Sequence, residues 1–305
     1  MSYIFGPVPS RRLGLSLGVD LIPRKTCSYN CIYCQVGKTT DRIMEPSSFV
    51  PVSEVIREVK EVLEKTPPDV ITLAGSGEPT LNMDIGVIIS EIKKTTSIPI
   101  TLLTNGSLLW NKQVREKVAG VDIMIPTLSS VYEETYNKIH RPHPDLRLNN
   151  ILDGLKEMRK EYAGNFFLEV MLLKGLNDSE KEIEGLFKII NDIQPDKVHL
   201  NTVVRPPSDP GAMSLSNEKL EEIKNFLGGR AEIIAAAPLK SRSNKPDSIG
   251  DQIIEMIKRR PVTVDDISSS LNLQKVETER FIRGLMIKGY IQEQRHGDNL
   301  FYTSK

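Results

Sequence analysis

From residue 15 to residue 236, short apolar runs alternate with amphipathic ones. The runs at 15–22, 70–74, 100–104, 121–127, 166–173 and 197–204 are each bounded by Gly, Pro, Asn or Asp, a pattern that predicts strands. Between and after them, residues 53–65, 84–95, 111–119, 130–139, 149–162, 178–193 and 217–227 repeat apolar positions three and four apart, the period of a helix with one buried face. In the first of these, Ile56, Val59 and Leu63 share a face and Ser53 stands where a helix cap is expected. Six strand–helix units in series predict an α/β fold of parallel strands joined by right-handed crossovers. Periodicity leaves open whether that sheet is flat or curled into a partial barrel. A seventh apolar run, 232–236, closes the region.

The pattern then changes. Residues 238–247, rich in Pro, Ser, Asn and basic side chains, read as a linker. Beyond it Ile249, Ile253, Ile254 and Ile257 mark one helix, Thr263 caps a second carrying Ile267 and Leu271, and 274–287 make a third. Two short apolar runs around Ile291 and Phe301, with a turn at Gly297-Asp298, complete a winged helix-turn-helix pattern. The expected organisation is an α/β domain over 1–237, the linker, and a winged helix over 248–305.

Composition narrows the function. The chain has 305 residues, with Lys plus Arg and Asp plus Glu balanced at 40 each, which argues against a grip on polyanions as the main source of affinity. Residues 247–305 are balanced too, with nine of each sign, so a protein partner for the winged helix is favoured over RNA or DNA. No apolar run is long enough to span a membrane. Ser10-Arg11-Arg12 has the look of a twin-arginine signal but lacks the apolar stretch and cleavage site that should follow, so a cytoplasmic protein is expected.

The three cysteines fall together in Cys27-Ser-Tyr-Asn-Cys31-Ile-Tyr-Cys34, which rules out a disulfide framework and points to metal. Three thiolates on one loop after the first strand suit a 4Fe–4S cluster with one open iron. A four-coordinate zinc completed by a histidine is the alternative, although none of the four histidines stands at finger spacing. After the second strand comes Gly75-Ser76-Gly77-Glu78-Pro79, after the third Thr104-Asn105-Gly106, and after the fourth Ser129, all turn or capping chemistry on its own terms. Glu169 and Asn201 interrupt apolar strands and need partners if they point inward, with His199 two residues from Asn201. Arg141 and Arg205 begin proline-stiffened loops and, with His199, are speculative substrate contacts, the arginines able to clamp a carboxylate or phosphate.

The spacing Cys-x3-Cys-x2-Cys with aromatic Tyr33 before the last cysteine resembles the signature of the radical S-adenosylmethionine (SAM) superfamily. The resemblance covers roughly residues 10–236 and implies a partial (β/α)6 TIM-like barrel. It implies that Cys27, Cys31 and Cys34 hold an oxygen-sensitive 4Fe–4S cluster, that Tyr33 lies against the SAM adenine, and that the 75–79 loop holds the methionine amino group through its backbone. Ser76 stands where the family usually has Gly. Thr104, Asn105 and Ser129 are implied near SAM, and a bound SAM would supply the partner that inward-pointing Glu169 and Asn201 need. The implied reaction is reductive cleavage of SAM to methionine and a 5′-deoxyadenosyl radical, fed by a donor such as flavodoxin or ferredoxin. That radical would take hydrogen from a second substrate.

Residues 6–14 and Arg205-Pro206-Pro207 further resemble a prokaryotic subgroup grouped with the wybutosine-synthesis (tRNA imidazoguanine-forming) enzymes. Such an enzyme carries a second cluster on extra cysteines, and this sequence has only three. A reading from a different class is a DNA-binding regulator that senses iron–sulfur status or SAM; a pure sensor would not need the second-strand loop.

Overall fold

The computed structural model describes residues 2–234, 249–271 and 273–304; the expected linker and the end of the seventh apolar run lie outside the described residues. The N-terminal part has strands β1 Ile4–Ser10, β2 Gly14–Val19, β3 Thr26–Cys27, β4 Asp41–Arg42, β5 Val70–Leu73, β6 Ile100–Thr104, β7 Ile123–Pro126, β8 Asn165–Leu172, β9 Lys197–Thr202 and β10 Ala231–Ile233. Its helices are α1 Val52–Lys65, α2 Ile85–Thr95, α3 Lys112–Val118, α4 Glu133–His140, α5 Leu148–Glu161, α6 Glu180–Ile193 and α7 Asn217–Leu227. The main sheet runs β1-β2-β5-β6-β7-β8-β9-β10. Every pair in it is parallel except β1 with β2. Sequential strands lie side by side, so the six expected units stand in chain order. Their strands are almost wholly buried, and residues such as Leu17, Ile71, Leu102, Leu168 and Leu200 join the apolar faces of the helices in one core.

The differences from the pattern have local causes. Strand β1 carries Pro7 and Pro9, which suppress a strand signature; it is tolerated because it pairs on one side only. Helix α1 begins after Pro51 with no side-chain cap, and Ser53 lies inside it. Helix α4 starts three residues later than expected because Ser130 accepts from the Tyr132 N–H and donates to Glu182. Helix α6 waits for Ser179, whose hydroxyl caps the Glu182 N–H.

The C-terminal part consists of α8 Ile249–Arg259, α9 Val264–Leu271, α10 Lys275–Ile287 and the hairpin β11 Ile291–His296 with β12 Asn299–Ser304. Thr263 and Asp266 cap α9 reciprocally, each side chain accepting from the other's backbone N–H. Ile253, Ile257, Ile267, Ile282 and Leu285 form its core, which also takes in Val8 of β1. This unit touches both flanks of the main sheet. Arg259 reaches the N-terminal segment, while Asp266 pairs with Arg205 and His296 lies 3.4 Å from the Val203 carbonyl, on the segment leaving β9. Among the described residues no helix is long and apolar enough to cross a membrane.

Candidate functional site

A cavity of about 410 Å³ collects the segments that leave the C-terminal ends of the parallel strands, where α/β folds place their chemistry. Cys27, Cys31, Tyr33 and Cys34 line it from the loop after β2, Gly75, Gly77 and Glu78 from the loop after β5, and Thr104 and Asn105 from the end of β6. Glu169 of β8, Asn201 of β9 and Arg205 complete the set of expected residues on its wall.

The cysteine loop is braced before any ligand binds. The Tyr29 hydroxyl hydrogen-bonds the Tyr136 hydroxyl in the core, and Ser28 and Ser107 share a hydrogen bond of 2.6 Å. The Ile32 N–H donates to Ile139, and Ser208 donates to the Cys31 carbonyl at 2.8 Å. All three thiols are free. Each sulfur faces nitrogen of its own: the Tyr29 N–H at 3.5 Å and the Asn105 amide at 3.6 Å for Cys27, the His140 ring at 3.3 Å for Cys31, and the Lys25 ammonium at 3.8 Å for Cys34. Burial, aided by nearby Glu78, pushes the Cys27 thiol up to about 12, and burial, with Cys27 and Cys34 beside it, also pushes the Cys31 thiol well up. Such thiols make poor free nucleophiles, but bound metal displaces the proton outright. His140 is the histidine that a zinc site would need. Among the described residues, however, no three His, Cys, Asp or Glu side chains converge as ligands of one ion. Thiolates on separate irons of a cubane need no such convergence, so the donor set fits a 4Fe–4S cluster.

The 75–79 loop is built for close approach. A Cβ at Gly77 would collide with the Thr26 carbonyl oxygen, and Pro79 opens a short 3-10 turn. Glu78 does not present its carboxylate freely. It accepts from the Thr80 N–H and hydroxyl, from the Thr104 hydroxyl at 2.6 Å and from the Asn105 N–H at 2.7 Å. Burial pushes the Glu78 carboxyl upward while these donors pull it back. What this loop offers a ligand is therefore backbone. Ser76 turns away from the cavity; its N–H and hydroxyl both donate to Asp20, at 3.0 and 2.6 Å.

Other expected residues are placed differently. Glu169 already has partners, in Arg12 and in the Asn201 amide at 3.2 Å, so it does not need a ligand to satisfy its charge. Ser129 is fully buried behind the cavity wall, with its hydroxyl unpartnered and its carbonyl accepting from Asn177. His199 does not line the cavity; it is buried beside the Phe167 ring. Arg141 caps α4 in a left-handed conformation and pairs at the surface with Asp209 at 2.7 Å, away from the cavity. Of the two speculative arginines only Arg205 is on the wall.

Sequence reasoning missed Lys25, His140, Asp20 and four further wall arginines, Arg11, Arg12, Arg259 and Arg260. The Arg11-Arg12 and Arg259-Arg260 pairs are visible signals, but only the fold brings them to one cavity.

The sequence model of the radical SAM superfamily matches residues 21–187, more than half of the chain. A protein of Brachyspira hyodysenteriae named GTPase Obg is 38% identical over 295 residues, which make up 95% of this chain and 43% of that protein. The chain thus spans less than half the length of that relative. A UPF0026 protein of Methanocaldococcus jannaschii is 32% identical over 99% of this chain and 96% of its own length. Among solved structures, TYW1 with a lysine–pyruvate adduct bound shares the fold, with a TM-score of 0.54 at 19% identity over 73% of this chain and 75% of that one.

Proposed function

The chain belongs to the radical SAM superfamily, whose members bind a 4Fe–4S cluster and SAM, and on that premise we propose that Cys27, Cys31 and Cys34 hold the cluster and that the cavity they line is the reaction chamber. When bound, these groups supply reductive cleavage of SAM to methionine and a 5′-deoxyadenosyl radical that takes hydrogen from a second substrate.

The observation that carries this reading is that three free thiols line the same cavity as Gly75, Gly77, Asn105 and Asn201. The chain's own part is holding and shielding. Lys25, His140 and the Tyr29 and Asn105 N–H groups stabilise negative charge on the sulfurs. The 75–79 backbone, fixed through Glu78 and Asp20, receives the methionine end of SAM. Tyr33, whose ring stands edge-on to His140, lies against the adenine. Thr104 supports this indirectly by holding Glu78, while Asn105, Glu169 and Asn201 face the bound ligand and Ser129 supports the wall behind it.

The domain reading is a partial (β/α)6 barrel over 1–237 and a winged helix over 248–305. Among the described residues β1 and β10 do not pair, and three helices are followed by a hairpin, both of which support it. The electron donor is a low-potential protein such as flavodoxin or ferredoxin. Residues 9–13 and Arg205 all line the cavity, which supports the likeness to the wybutosine-synthesis group. The tRNA reaction itself draws no support from a chain whose three cysteines are all used by one cluster.

The test is anaerobic reconstitution with iron and sulfide, followed by SAM and dithionite. About four irons per chain, a cluster electron paramagnetic resonance signal that changes on adding SAM, and formation of 5′-deoxyadenosine are expected. A reconstituted chain that holds one zinc in preference, or a cluster whose signal ignores SAM, overturns the reading.

A further inference from the structure

Five arginines stand on the cavity wall, Arg11, Arg12, Arg205, Arg259 and Arg260, against two carboxylates, Glu78 and Glu169. Glu78 is held by the loops around it and Glu169 pairs with Arg12, so two engaged carboxylates face five guanidiniums on this wall. Behind the wall, Asp266 takes Arg205 at 3.3 Å and Asp20 takes Arg259 at 2.9 Å. Even so, the Nε atoms of Arg205 and Arg259 are buried without a hydrogen-bond partner. A guanidinium has five donors in a fixed fork, and buried donors left unmade are costly. The like charges also crowd one another. Burial together with Arg205 and Arg12 pushes Arg11 down to about 10, and burial together with Arg205 and Arg11 pushes Arg260 down to about 9. A wall of this kind favours a bound anion that takes up the unmade donors.

We propose that Arg11, Arg205 and Arg260 form a subsite for the phosphate or diphosphate group of a small-molecule substrate, with the C-terminal unit contributing Arg260 to it. The proposal rests on the reading of the cavity as the reaction chamber and names the substrate class. Arginine forks match phosphate oxygens two at a time. Three guanidiniums answer a multiply charged phosphate better than a single carboxylate. The size of the space selects a small ligand. Arg259 and Arg260 also line a neighbouring cavity of about 170 Å³ with Arg24 and Lys258, which continues the cationic wall without opening a long basic groove. The chain as a whole carries no net charge, unlike a protein that tracks a nucleic-acid backbone.

Isothermal titration of the reconstituted full chain with pyrophosphate, inorganic phosphate, malonate and a single-stranded RNA hexamer tests this. Pyrophosphate is expected to bind, and Arg260→Gln and Arg11→Gln are each expected to weaken it about tenfold or more. Arg260→Lys, which keeps the charge but not the fork, should also lose affinity, while Arg141→Gln at the surface should not. Thermal unfolding of each variant separates lost binding from lost structure. Pyrophosphate that produces no saturable heat, binding unchanged in folded Arg260→Gln and Arg260→Lys alike, malonate binding as tightly, or RNA binding more tightly each overturns the proposal. A chain that binds pyrophosphate through Arg260 but never yields 5′-deoxyadenosine overturns the reaction reading alone. One that cleaves SAM and ignores pyrophosphate overturns the subsite alone.

Discussion

Asp20 pairs with Arg259 at 2.9 Å across 239 positions of sequence, and the same carboxylate accepts both the N–H and the hydroxyl of Ser76. One side chain therefore ties the C-terminal unit to the loop proposed to hold the methionine end of SAM. It also accounts for a serine where related loops have glycine: the hydroxyl is used, and it points away from the cavity. Replacing Asp20 by Asn keeps the shape but leaves the largely buried Arg259 without a counter-charge, at a cost of about 1–3 kcal/mol. The expected outcome for Asp20→Asn is weaker SAM binding with unchanged iron content, together with a lower unfolding temperature. SAM affinity equal to that of the wild type would show that the tie is structural only.

Glu78 accepts four hydrogen bonds from three residues, and in doing so locks the loop after β5 to the end of β6. An amide in its place would present N–H to at least one of those donors. Glu78→Gln is therefore expected to destabilise the fold by about 1–3 kcal/mol and to loosen both loops. Urea unfolding measures the first effect, and hydrogen exchange at the Thr80 and Asn105 amides the second. Exchange confined to wild-type rates would mean that the loops hold without it.

The layout of the fold was largely legible because burial imposes a period. The strands from Val70 and Ile100 and the helix 217–227 fall within a residue of where alternation and capping put them. Strand β1 was not legible, since proline masks a strand that needs hydrogen bonds on only one side. At the site, spacing singled out the cysteines because a cluster demands those residues close together, while the 75–79 loop stood out only through its likeness to the family's loop. Lys25 and His140 reach the sulfurs through tertiary structure, Lys25 from a left-handed backbone conformation and His140 from the last turn of α4. His199 and Arg141 looked like site residues because polar side chains near strand or helix ends often are. Packing put one beside Phe167 and the other at the surface.

Lys25 places an ammonium 3.8 Å from the Cys34 sulfur and is held there by a hydrogen bond to the Gly37 carbonyl. Positive charge beside a cluster ligand favours the reduced cluster. Lys25→Met keeps the length of the side chain and removes the charge. The reconstituted variant is expected to show a more negative reduction potential than the wild type in an anaerobic redox titration followed by electron paramagnetic resonance. A potential that stays the same or rises would count against the role given to Lys25.

His199 gives the chain a pH dependence separate from the cysteines. Desolvation, with Arg12 next in effect, pushes its imidazole down to about 4, against help from Glu169 and Glu232 and further opposition from Lys197. The ordinary value is about 6.5. Between those two values the unfolded chain binds a proton that the folded chain refuses, so stability rises with pH across that window. The contribution is complete above about 6.5 and is lost as pH falls toward about 4. At pH near 5, about 2 kcal/mol should be missing relative to neutral pH. Urea unfolding of the metal-free chain at both values measures it, and His199→Leu provides the reference because it removes the titrating group while still filling the place beside Phe167. The wild type is expected to lose more stability than His199→Leu on acidification. Parallel losses in the two proteins would mean that His199 takes up its proton in the folded state as easily as in the unfolded one.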